Sequence, residues 1–213
     1  ACDLAEVLGT IVGLKLLSVF GQLTDDEARS NYSYPNEYNG PKPLAEQAAI
    51  LCALFPGLKN ATYDESIAAR PFPEGAEGYF LVPRWQAIGK IYGEALEKLF
   101  AAIASQRKFF NFREGQLGPA CLRQHERTVE AFQKLAEAQK GRDLLVVPAQ
   151  FGMRHRGRSV CGALKALVAG EFGLDDFSVG SMLLTHPERE VECEQLHPTC
   201  AGSEHFPYID GPF

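Results

Sequence analysis

Three arginines and a histidine fall within the five residues Arg154, His155, Arg156, Gly157 and Arg158 of this chain. A guanidinium presents a planar fork of N–H donors that matches two oxygens of a phosphate, so arginines clustered in a loop are suited to binding an anion. Gly152 and Gly157 flank the cluster and allow the backbone to approach a ligand closely. A second polar group, Thr185, His186, Pro187, Glu188 and Arg189, follows about thirty residues later. His155 and His186 are candidates for general acid and base, because an imidazole exchanges its proton near neutral pH. Positive neighbours disfavour protonation, so His155 is expected to be neutral.

Two further sets carry other chemistry. Cys193, His197, Cys200 and His205 fall in a C-x3-H-x2-C-x4-H pattern, four ligands of the kind that close a tetrahedral zinc site. The alternatives are free thiols or a Cys193–Cys200 disulfide in an exported chain. Residues 107–113 (RKFFNFR) interleave Arg107, Lys108 and Arg113 with Phe109, Phe110 and Phe112. Aromatic faces that stack bases between phosphate-binding cations suit single-stranded nucleic acid, whereas phenylalanines in general favour the core. The core reading is the one expected here. Cys161 near Arg158 would be activated if it stood exposed at a helix N-terminus, but a buried helical position is expected. The loop is neither a Walker A sequence nor GxGxxG, so no nucleotide cofactor is indicated.

These groups need elements to position them. The apolar run Leu144 to Ala149 reads as a buried strand, and the pattern from Ser159 to Ala169 reads as a helix ended by Gly170. Residues 177–185 (FSVGSMLLT) alternate Phe177, Val179, Ser181 and Leu183, which favours a second strand. The result is a βαβ unit with parallel strands. Ligands of such sheets bind beyond the carboxyl ends of the strands. That rule places Arg154, Arg156, Arg158 and Ser159 on one rim with Thr185, His186 and Arg189.

Upstream, residues 4–20 have the spacing of an amphipathic helix rather than of a signal peptide, and Thr24 is an N-cap signal. Residues 30–43 form a long polar and aromatic loop, a functional flap or, as expected here, a packed surface loop. Helices are expected over about 43–54, 85–107 and 119–139, and a short strand over 79–82. The fold expected is α/β or α+β in one domain over 1–213. A helical region of about 1–140 would precede the βαβ-like unit of about 143–186 and a Cys/His-containing tail at 190–213.

The net charge of −6 is unevenly spread. Residues 101–160 hold eleven basic and five acidic groups, whereas 161–213 hold two basic and nine acidic. Local fields act over roughly 8–10 Å, so the positive middle says more about partners than the overall charge does. No run of about 18 uncharged apolar residues is present, so neither a transmembrane helix nor a membrane partner is expected, and six cysteines at these spacings leave a cytoplasmic location as the default.

The string VPAQFGMRHRGRSV, with EFG and VGSMLLTHPER following it, resembles a stretch of uncharacterised bacterial proteins over about residues 80–189. The resemblance implies that the basic loop and the THPER turn belong to one recurring unit, and it brings no activity with it.

Three functions follow as expectations. The first is binding of a phosphorylated small molecule or nucleic acid on the basic strand–loop–helix. The second is a hydrolase-type or transferase-type enzyme using His155 and His186. The third is a structural protein whose basic middle docks on its acidic tail.

Overall fold

The computed structural model describes residues 30–189 and 194–205. The expected helix over 4–20 and the Thr24 cap lie outside them. The described residues form an α+β fold built on an antiparallel ribbon, β1 (Gly78–Pro83) with β3 (Leu144–Ala149), in register from Gly78 opposite Ala149 to Pro83 opposite Leu144. All six residues of β1 are buried. Around the ribbon pack α1 (Leu44–Leu54) and α6 (Asp176–Thr185), and α6 in turn packs on α3 (Tyr92–Gln106). The remaining elements are α2 (Glu65–Ala68), α4 (Glu126–Ala138), α5 (Val160–Ala166), and a second ribbon of β2 (Leu122–Gln124) with β4 (Ser203–His205).

A two-stranded ribbon buried in a core leaves both outer edges with unpaired backbone groups, each costly out of water. Two glutamines close those edges. Gln47 of α1 accepts from the Leu81 N–H at 2.8 Å and donates to the Tyr79 carbonyl at 3.1 Å. At the other edge Gln139 accepts from the Val146 N–H at 2.8 Å and donates to the Val146 carbonyl at 3.0 Å. Leu81 and Val146 stand opposite each other, so this is the alternate pair whose backbone groups point outward. Pro148, opposite Tyr79, shares that outward phase, and its missing N–H removes no ladder bond.

The expected βαβ unit is not formed. The strand over 144–149 stands as read, but its partner is the upstream β1 and the pairing is antiparallel. Residues 177–185 are helical. Asp175 caps α6, its carboxylate accepting from the Ser178 N–H at 2.8 Å. The alternation misled because almost every residue of α6 is buried, so a helical stripe has no polar face to stand out against.

Two other helices are shorter than their spacing suggests. The helix expected over 85–107 becomes a single 3-10 turn, Trp85–Ala87, followed by α3. Between them Gly89 lies so close to Ala95 that a Cβ would stand 2.5 Å from its backbone nitrogen. The helix expected over 119–139 gives up its start to β2, and the His125 N–H is taken by the Gly202 carbonyl. No helix among the described residues is long and apolar enough to cross a membrane.

Candidate functional site

The basic loop leaves β3 at Gln150 and is fixed from both sides. The Gln150 side-chain carbonyl accepts from the Gly152 N–H at 2.7 Å and the Arg154 N–H at 3.3 Å, folding the backbone into a turn. Gly152 sits at φ +113° and Gly157 at +80°, conformations that a side chain would strain. Phe151 drops into the core, its ring edge-on to Tyr38 at 5.5 Å and Phe80 at 5.3 Å. The Tyr34 hydroxyl accepts from the Met153 N–H at 3.0 Å and donates to Glu77, which also accepts from Tyr38. The 30–43 segment is therefore a packed loop that carries the tyrosines buttressing the site.

From that anchorage the cationic side chains spread along a cavity of about 1320 Å³. Its opposite wall is α4, where Arg127, Ala131, Lys134 and Ala138 share one face at helical spacing. Val146, Val179 and Met182 line the buried side, and Ala163, Leu164 and Leu167 close over it. Lining residues that are also exposed (Arg127, Lys134, Arg154 and Arg156) border the mouth, with Arg158 half-exposed beside them. Five lysine and arginine side chains thus face three carboxylates, Glu74, Glu130 and Glu171.

The loop arginines differ in how far the fold already uses them. Arg154 pairs with Glu171 at 3.0 Å. Arg156 donates to the Tyr32 carbonyl at 3.5 Å and to the Met153 sulfur at 3.7 Å. The Arg158 backbone N–H donates to the His155 carbonyl at 3.1 Å, while its side chain makes no hydrogen bond or ion pair among the described residues. Burial pushes the His155 pKa down, Glu171 opposes the shift, and Arg154 and Arg158 add to it. The direction matches expectation, although burial contributes more than the arginines. Ser159 caps α5 by accepting from the Gly162 N–H at 3.0 Å, so one amide of this seven-residue helix is already satisfied. Anion binding here rests on side chains rather than on the helix end.

The THPER residues do not share this mouth. Thr185, His186 and Arg189 are fully buried and none lines the cavity. The Thr185 hydroxyl bonds to the Met182 carbonyl at 3.0 Å. His186 Nε2 accepts from the Lys42 N–H at 2.9 Å, which places its proton on Nδ1, 2.9 Å from the Met182 carbonyl. Both ring nitrogens are therefore engaged inside the fold, and burial lowers the pKa. The Arg189 guanidinium lies 4.2 Å from the Tyr34 ring centre and 5.2 Å from that of Phe151, and donates to the Leu196 carbonyl at 2.6 Å. The segments that the sequence brings together do meet, with Phe151 and His186 rings 6.2 Å apart, but as core packing rather than as a rim.

Of the metal quartet, Cys193 lies outside the described residues. His197 is exposed and lines the cavity, whereas Cys200 and His205 neighbour Asp176 and do not line it. No cluster of three or more His, Cys, Asp or Glu placed to hold a metal ion is found among the described residues. Cys161 is exposed on α5, not buried as expected. In the RKFFNFR segment Phe110 and Phe112 are 71% and 84% exposed, against the core position expected. Arg107 is turned inward on the Leu183 carbonyl at 3.0 Å.

Sequence reasoning missed Lys134, Glu171 and the apolar wall. The signal for Lys134 was its position seven residues after Arg127, two turns along the same helix face. No protein-family model matches the chain, and no curated protein or solved structure matches it.

Proposed function

We propose that this protein binds a phosphorylated small molecule in the cavity between the 154–158 loop and α4. One observation carries the reading: a cavity of about 1320 Å³ bordered by Arg127, Lys134, Arg154, Arg156 and Arg158, the last with a side chain that makes no hydrogen bond or ion pair among the described residues. Its volume exceeds the roughly 300–1,000 Å³ usual for small-molecule sites, so a phosphate and a sizeable body fit together. Arg156 and Arg158 supply bidentate donors, and His155, held neutral by burial, is a hydrogen-bond partner that adds no charge.

A thermal-shift series with phenyl phosphate tests the reading. The melting temperature is expected to rise with ligand concentration. Arg158→Ala removes a charge-assisted contact of about 1.5–3 kcal/mol, weakening the response tenfold or more while leaving the unliganded melt unchanged. Equal shifts in both proteins would contradict the assignment.

A second reading, single-stranded nucleic acid, draws support from the exposure of Phe110 and Phe112 beside Lys108. It predicts salt-sensitive oligonucleotide binding that falls at least tenfold in a Phe110→Ala, Phe112→Ala double variant. No binding at low ionic strength would exclude it.

A further inference from the structure

The lid of the cavity is unusual in what it leaves uncovered. Helix α5 is seven residues long and none of its residues is buried. A helix this short holds its shape only through tertiary packing. Yet Ala163 and Leu164, with Leu167 just beyond its end, face the cavity, half-buried, instead of a core. Across the space stand Ala131, Leu135 and Ala138 of α4. The lining stretch of α4 from residue 127 to 138 runs about 16 Å at 1.5 Å per residue, which suits an elongated guest better than a compact one. The apolar side chains on these two walls leave surface in water that an apolar guest would remove from it. The cations, in contrast, sit at the mouth.

We infer that the ligand is an amphiphile: a phosphate monoester whose head meets Arg156 and Arg158 and whose extended hydrocarbon body lies between α4 and α5. This rests on the phosphate-binding reading above and adds the class of molecule attached to the phosphate. Leu164 and Leu167 then complete their packing on the ligand, and α5 becomes ordered by what it covers.

The test is calorimetric titration of the full chain with ethyl, hexyl and decyl phosphate below their micellar concentrations, and with decanol. From ethyl to decyl phosphate the dissociation constant should tighten about fourfold per added methylene until the cavity is filled. Leu164→Asn, a neutral polar change on a residue outside the core, should reduce that gain by a larger factor than it changes ethyl phosphate binding. If ethyl and decyl phosphate bind equally, the hydrocarbon body is wrong while the basic-loop reading stands. If decanol binds as tightly as decyl phosphate, the anionic head is wrong and the basic-loop reading falls with it. Binding of none of them overturns both.

Discussion

Replacing Gln47 or Gln139 by leucine removes a side chain that closes one edge of the central ribbon, orphaning a buried N–H and a buried carbonyl in each case. At about 1–3 kcal/mol for each buried group left unpaired, each variant should lose about 2–6 kcal/mol, measured as a lower urea midpoint. Neither role was legible in the sequence, because a glutamine facing a strand edge and one facing water have the same spacing on a helix. His186 gives a second prediction. Its folded pKa is depressed by burial, so the unfolded chain binds the proton more readily. Stability is therefore full above the ordinary histidine value of about 6.5 and falls as the pH drops through it toward the folded value. Between pH 7 and 5 the melting temperature should decline, and His186→Asn should flatten that slope relative to the parent. An unchanged slope would remove His186 from the account. The candidate site was more legible at this scale: Arg154, His155, Arg156 and Arg158 stand out by type and spacing alone, and all four line the cavity.

Among the elements, agreement between sequence and structure follows contrast. β3 lies between strong breakers and reads correctly to the residue. The interior of α6 has no polar stripe, so its periodicity is silent, and only the Asp175–Ser178 cap marks it as a helix. Helix packing was equally hidden from the sequence, because it depends on glycines whose neighbours are distant in the chain. A Cβ on Gly180 would meet the flexible end of Leu99 at 2.7 Å, whereas one on Gly93 would stand 2.1 Å from the Leu117 backbone carbonyl. A leucine methyl can move aside and a backbone oxygen cannot do so cheaply. Gly180→Ala should therefore cost about 1–3 kcal/mol and Gly93→Ala distinctly more, by chemical denaturation. The reverse order would show that the α3–α6 contact is tighter than the one between α3 and the 117–118 turn.

For the molecule as a whole, the positive middle of the sequence meets the acidic segment after it, among the described residues, at the Arg154–Glu171 and Arg123–Glu204 ion pairs. Within the loop Arg154 is paired with Glu171, whereas the Arg158 side chain has no hydrogen bond or ion pair among the described residues. The fold spends the THPER cluster on its interior and presents the RHRGR loop at a cavity mouth, a division that depends on α6 being a helix. The apolar half of the cavity was not legible in the sequence, since its walls come from α4, α5 and α6, three elements that no local pattern connects. The central claim is that this cavity takes a phosphate-bearing ligand through the 154–158 loop. Calorimetric titration of hexyl phosphate into the parent chain and into an Arg156→Ala, Arg158→Ala double variant tests it most directly. The account predicts one saturable site in the parent, weaker at higher salt, and at least a tenfold loss in the double variant. Equal affinities in the two proteins, or no binding to the parent at low ionic strength, would contradict it.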